Sequence, residues 1–150
     1  MAPRIRTAGD EDLAFDLLQE LLRNERDLHA RARELIVQPH GRGWIRVADT
    51  AGADAWLIAW SAASSVGTHD HGGSQGAVHV LRGALVERYW DRDDPSPRVR
   101  RLVGGETVFV PSDRVHDVAN DGVRPALSLH VYSPRLTSMG FYPPASTLTR

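Results

Sequence analysis

The chain has 150 residues, 18 basic against 19 acidic, a formal charge of -1 and no cysteine. Such a length supports a single hydrophobic core, and charges of mixed sign with no basic stripe argue against nucleic acid as the main partner. The missing thiols exclude disulfides, thiolate metal sites and a cysteine nucleophile. The opening MAPRIRTAGDEDL has no signal-peptide core, and no apolar run approaches the roughly 18 residues that cross a bilayer, so a soluble, cytoplasmic protein without membrane contact is expected.

Residues 10–37 have helical periodicity, with Leu13, Leu17 and Leu21 on one stripe, Ala14, Leu18 and Leu22 beside it, and Leu28, Ala32, Leu35 and Ile36 further on. Asp10 is the expected N-cap, and Asn24 marks a break between two helices. Pro39 and the turn Gly41-Arg42-Gly43 stop the helical pattern. After Trp44 the texture changes to short Val, Ile, Leu and Trp runs punctuated by Gly, Pro, Asp and Ser. Nine strands are predicted, over residues 44–49, 54–61, 66–71, 77–81, 84–90, 98–103, 106–110, 115–119 and 126–132. That spacing predicts an all-β sandwich or barrel. One domain is expected, with a helical cap over 1–40, the β-barrel over 44–135 and a tail over 136–150.

Three stretches carry chemistry. In THDHGGSQG, His69 and His71 stand two apart, so in a strand both imidazoles project from one face and can converge on one ion. The glycines at 72, 73 and 76 leave room around whatever the histidines hold. An isolated His-X-His is equally a pair of surface histidines, because short motifs are cheap. The second stretch, GETVFVPSDRVHDVAN, reads as strand, tight turn and strand, and carries His116. In the third, SLHVYSP, the residues Ser128, His130 and Tyr132 alternate onto one face. If both faces of that strand are covered, the polar file must be hydrogen-bonded in sequence, hydroxyl to imidazole to phenol.

The first two stretches together resemble the paired motifs of the cupin superfamily. Adding WIR (Trp44 to Arg46), Trp60 and SLHVYSP, the sequence is similar to the cysteine dioxygenase family of thiol dioxygenases, over about two thirds of the chain and in the expected order. The resemblance implies a cupin double-stranded β-helix, or jelly-roll barrel, with a small N-terminal helical cap. It implies a mononuclear ferrous iron, Fe(II), on His69, His71 and His116. It places the carboxylate-binding arginine at Arg46, with Trp44 and Trp60 in the substrate region, and a Ser128-His130-Tyr132 relay beside the metal. The implied activity is oxidation of L-cysteine, or a similar small carboxylate-bearing thiol, to its sulfinic acid with O2. The alternatives are 3-mercaptopropionate or another thiol acid on the same centre, and a non-oxidative metal-binding cupin acting as isomerase or sensor. The implied partners are the thiol and O2; the oligomeric state is not indicated.

The chain departs from the family pattern at several points. Gly76, after Gln75, stands where many cupins carry a glutamate ligand and where some relatives carry a cysteine cross-linked to the tyrosine, so Tyr132 works unmodified. Asp113 replaces a glycine after the proline turn, and Trp44 replaces a substrate-proximal tyrosine. Ser133-Pro134 matches a peptide that is cis in relatives. Three neutral imidazoles without a carboxylate leave a divalent ion its full charge, which favours an anionic ligand such as a thiolate. His79 is expected to be a half-buried packing residue, and His29 and His40 to lie at the surface.

Overall fold

The computed structural model describes residues 9–91 and 93–143, so the first eight residues of the expected cap and the last seven of the expected tail lie outside the described residues. Two helices open the chain, α1 (Asp10–Leu22) and α2 (Glu25–Ala32). Gly9 rather than Asp10 caps α1, its N–H reaching Asp12 Oδ2 at 3.3 Å. The break falls at Asn24, as expected, because its side chain accepts the Asp27 N–H and caps the second helix. That helix ends at Ala32, short of Val37. Beyond it Ile36 is 85% exposed, and without an apolar surface to cover, periodicity alone does not sustain a helix.

Nine strands follow among the described residues: β1 (Arg42–Asp49), β2 (Asp54–Trp60), β3 (Ser64–Ser65), β4 (Gln75–Arg82), β5 (Ala84–Trp90), β6 (Arg98–Val103), β7 (Thr107–Val110), β8 (Val115–Asn120) and β9 (Ala126–Ser133). They form a five-stranded sheet in the order β1-β2-β9-β4-β7 and a four-stranded sheet in the order β3-β8-β5-β6. The two sheets pack through Trp60, Val80 and Ala126 on one side and Leu85, Leu102 and Val118 on the other. On the outer face of the larger sheet, Ala14, Leu17 and Leu18 of α1 and Leu28 of α2 cover Ala55, Leu57, Leu127, Leu129 and Val131. Leu127 and Leu129 are fully buried, and each such side chain contributes about 1.5–3 kcal/mol.

The central strand β9 is therefore covered on both faces, and all eight of its residues are buried. Its odd-numbered residues face the helices, and its even-numbered ones face the space between the sheets. The helical cap thus does more than close one end of the sandwich. It forces Ser128, His130 and Tyr132 into the interior, where polar groups need partners.

One expected strand is absent. Residues 66–71 make no continuous ladder; instead His69 forms isolated bridges with Phe141 and with His116, the latter through His69 N to His116 O at 2.9 Å and His116 N to His69 O at 3.0 Å. Glycines with positive φ on either side, Gly67 at 88° and Gly72 at 59°, turn the backbone out of extended pairing. The regular strand in this part of the chain is β3, which pairs Ser64 with Asn120 and Ser65 with Ala119.

Candidate metal centre and cavity

The bridge between His69 and His116 brings the two sequence motifs together. His69, His71 and His116 are each at most 3% exposed, and one ring nitrogen from each lies within 4.8 Å of the others. The Nε2 atom of His71 is 3.2 Å from both His69 Nε2 and His116 Nε2. The structure thus unites all three histidines singled out in the sequence.

Their protonation follows from their partners. His69 Nδ1 lies 2.7 Å from the Gly67 carbonyl, which can only accept, so Nδ1 carries the proton and Nε2 is bare. His116 Nδ1 faces Glu87 Oε1 at 3.2 Å, which bares its Nε2 in the same way. Burial, reinforced by the neighbouring His116, lowers the pKa of His69 to about 4 and that of His71 to about 2, so these two imidazoles are neutral and ready for a metal well below pH 7. His71 Nδ1 is buried without a partner among the described residues, and its Nε2 stands between two nitrogens whose lone pairs point at it. The three imidazoles therefore fit a divalent metal, with no carboxylate in the set.

Glu87, which sequence reasoning passed over, is the buried group behind this arrangement. It sits on β5, 1% exposed, and its Oε2 accepts from Arg100 Nε at 2.8 Å while Arg114 Nη1 lies 3.5 Å from Oε1. Burial alone would push its carboxyl up; the His116 and Arg100 bonds and charges win and hold it below the ordinary value. The alternation of ALVERYW was legible, and a charged residue inside an apolar strand was the available signal.

The file on β9 is partly as expected. Ser128 Oγ lies 2.7 Å from His130 Nε2 and accepts the Trp60 indole N–H at 2.9 Å. An indole only donates, and a hydroxyl with two lone pairs and one proton can either donate to His130 Nε2 or accept from it, so Ser128 links indole and imidazole in either tautomer. Burial keeps the imidazole neutral, lowering its pKa to about 3. The expected imidazole-to-phenol bond is not formed; Tyr132 instead packs against the His71 ring at 5.2 Å. Its phenol is pushed up, first by burial and then by the buried Asp54 carboxylate on the paired strand. Tyr132 is thus a neutral hydroxyl at the metal centre. Trp60 is 1% exposed and lies behind Ser128 rather than on the cavity surface. Ser133-Pro134 is cis.

A cavity of about 320 Å³ opens beside the histidines. Its lining includes His69, His116, His130, Tyr132 and Trp44, but the arginine in it is Arg42, not Arg46. Arg46 is half-exposed, pairs with Asp49 at 3.5 Å and stacks on Trp56 at 5.6 Å. On β1, Arg42 pairs with Trp60 and Arg46 with Trp56, next to the bulge between Arg46 and Ala48; the Arg46 side chain is taken up by Asp49 and the Trp56 ring, whereas that of Arg42 lines the cavity. The Arg42 guanidinium sits 5.5 Å from both the Trp44 and Trp60 rings, and no carboxylate lies within salt-bridge distance of it among the described residues. Asp117 acts on it only at longer range, raising its pKa against the larger lowering by burial.

The residues after β9 close one side of the cavity through Leu136, Met139 and Phe141. Asp70, between the two histidine ligands, fastens this segment: its Oδ1 accepts from Gly72 and Gly140 N–H, each at 3.0 Å, its Oδ2 accepts the Tyr142 hydroxyl at 2.9 Å, and its N–H bonds Gly140 O. At the opposite wall Gly76 faces Tyr132, and a Cβ added to it would collide with the Val131 carbonyl. No side chain fits there, so neither a fourth carboxylate ligand nor a sulfur link to Tyr132 can be built from position 76. Elsewhere, His79 is 6% exposed and bonds Thr107 Oγ1 at 2.7 Å, His29 is half-buried and His40 is exposed.

Two facing antiparallel sheets with three inward histidines on one sheet edge define a metal-binding cupin, a double-stranded β-helix. Solved structures agree: TT1209 from Thermus thermophilus is 27% identical, with 70% of this chain and 94% of that one aligned at a TM-score of 0.58. A double-stranded β-helix protein from Klebsiella pneumoniae is 15% identical over 75% and 93% of the two chains, at 0.63. KdgF from Halomonas sp. is 19% identical over 70% and 89%, at 0.58. The sequence pattern of cysteine dioxygenase type I matches residues 10–143, and the chain belongs to that family. No curated protein matches it. Among the described residues no helix is long and apolar enough to cross a membrane.

Proposed function

We propose that this protein is an iron-dependent thiol dioxygenase acting on a small thiol that carries a carboxylate. The observation that carries this reading is the meeting of three neutral, carboxylate-free imidazoles at the wall of a cavity that also presents the guanidinium of Arg42, which has no salt-bridge partner among the described residues. When bound by His69, His71 and His116, a ferrous ion would supply the positive charge that turns a thiol into a thiolate and the redox capacity to use dioxygen.

The chain's own residues supply position and protons. Glu87 and the Gly67 carbonyl fix the ring orientation of His116 and His69. Arg42 offers two N–H donors to the substrate carboxylate, a bidentate match that sets the distance between carboxylate and sulfur. Tyr132, held protonated, donates a hydrogen bond toward the reacting atoms, while the Trp60-Ser128-His130 chain holds the imidazole ring in place beside it. The overall change balances without a further reductant: a thiol and dioxygen give a sulfinate and a proton, both oxygen atoms ending on sulfur, which loses the four electrons that dioxygen gains.

The test is anaerobic loading with ferrous ion, then oxygen uptake and product mass with a panel of thiol acids. A thiol-dependent uptake of one O2 per product carrying two added oxygen atoms is expected. Absence of thiol-dependent uptake from a fully iron-loaded protein refutes the reading.

A further inference from the structure

Resting on that reading, we infer that the cavity selects a thiol acid bearing an apolar body and no ammonium group, with Arg42 holding the carboxylate and Trp56, Ile58, Val66 and Met139 receiving the body. The side chains on the cavity surface include no carboxylate, no carboxamide and no aliphatic hydroxyl. Besides Tyr132, the polar side chains there are arginine, histidine and the indoles of Trp44 and Trp56, and of these the guanidinium and the indoles only donate. An ammonium has only protons to give. Here it would meet Arg42, the indole donors and the metal charge, with no carboxylate or carboxamide to receive it and at most the Tyr132 phenol and one His130 nitrogen as acceptors. A buried charge without a partner is costly.

The remaining surface is aromatic and aliphatic, including Trp44 at 58% and Phe141 at 66% exposure on the rim. A volume of about 320 Å³ corresponds to roughly ten water molecules at their liquid share, more than a molecule the size of cysteine fills. Ordinary ligand sites combine an apolar wall with few polar anchors. In this cavity the anchors are all for an anion. Asp117, the nearest carboxylate to Arg42 in charge effect, is tied to the Gly67 N–H at 3.0 Å and is not on the cavity surface.

Three thiols with one skeleton separate the possibilities: L-cysteine, 3-mercaptopropionate, and 2-benzyl-3-mercaptopropionate, which carry an ammonium, a hydrogen and a benzyl group at the same carbon. With the iron-loaded full chain, kcat/KM is expected to rise in that order, by at least tenfold from cysteine to the benzyl compound. Met139→Glu, on the half-buried closing segment, should raise the relative kcat/KM of cysteine by supplying an acceptor. A second arm needs no turnover: calorimetric titration of the metal-free protein with 3-phenylpropanoate and with L-phenylalanine, which differ by the ammonium alone. At least tenfold tighter binding of 3-phenylpropanoate is expected, lost in Arg42→Gln. Equal binding of the pair, or cysteine as the best of the three thiols, overturns the inference while leaving a dioxygenase in place. Selective binding of 3-phenylpropanoate without oxygen uptake from any thiol supports the selectivity and sinks the dioxygenase reading instead.

Discussion

Replacing Glu87 by Gln separates what holds the metal from what merely fills the core. The carboxylate is 1% exposed and serves His116 Nδ1 at 3.2 Å, Arg100 at 2.8 Å and Arg114 at 3.5 Å. A glutamine of the same shape keeps one accepting oxygen but turns an NH2 toward groups that all donate. Removing one partner of a buried ion pair costs about 3–5 kcal/mol, and because Arg100 is 32% exposed and can recover water, the low end, about 3 kcal/mol, applies. At about 2–4 °C per kcal/mol for a chain of this size, Tm of the metal-free protein should fall by roughly 6–12 °C. Loss of the group that orients His116 should separately weaken divalent metal binding by about 10–100-fold. Thermal unfolding without metal and a competitive metal titration measure the two effects apart. A variant that melts lower yet binds metal with unchanged affinity would show that Glu87 neutralises two arginines and does nothing for His116. Acid acts on the same group: since the folded pKa is depressed, its contribution is full above the unfolded value near 4.5 and disappears as pH falls through the lower folded one.

Arg42→Gln should raise KM for a thiol acid by about 10–150-fold, the worth of a charge-assisted bond at about 1.5–3 kcal/mol, with metal affinity retained, whereas Arg46→Ala should leave kinetics and Tm close to wild type; steady-state kinetics on both variants decide which arginine meets substrate. Acid stability of the metal-free protein follows from His130, whose pKa drops from 6.5 to about 3. Because the unfolded chain takes up the proton first, this contribution is complete above about pH 6.5 and falls below it at about 1.4 kcal/mol per pH unit; His69 and His71, lowered to about 4 and about 2, add slopes of the same sign, so His130→Gln should reduce but not abolish the acid slope in urea titrations across pH 4–6. Gly76→Ala would ordinarily add about 0.5–1 kcal/mol in a strand; the collision with the Val131 carbonyl reverses the sign to a loss of about 1–3 kcal/mol, seen as a lower urea midpoint.

Much of this was legible in the chain because it rests on period and punctuation. Helical spacing placed the cap, two-residue alternation placed eight of the nine strands, and His69, His71 and His116 stood out as imidazoles beside glycine and proline turns. What failed was register. Residues 66–71 looked like a strand by composition, but between Gly67 and Gly72, both with positive φ, only isolated bridges at His69 form. Arg46 and Arg42 lie on the same face of one strand, and alternation cannot say which reaches the cavity. That depends on partners outside the alternation, because Asp49 and the Trp56 ring take up the Arg46 side chain while Arg42 lines the cavity. Glu87 was passed over for a related reason: an acidic residue in a strand is ordinarily solvent-facing, and only the arrival of Arg100, Arg114 and His116 from three other positions makes its burial tolerable.

The same non-local logic explains why Asp70 lies between two ligands it cannot join. A residue alternating with His69 and His71 must point away from the metal, yet its carboxylate is held below its ordinary pKa by the Gly140 and Gly72 N–H groups and also receives the Tyr142 phenol. One short stretch thus fixes two things on its opposite faces, the metal centre inward and the cavity-closing segment outward. A Cβ on Gly140 would crowd the Asp70 carboxylate, so the glycine lets the closing segment that carries Met139 and Phe141 pack directly against the stretch that holds His69 and His71.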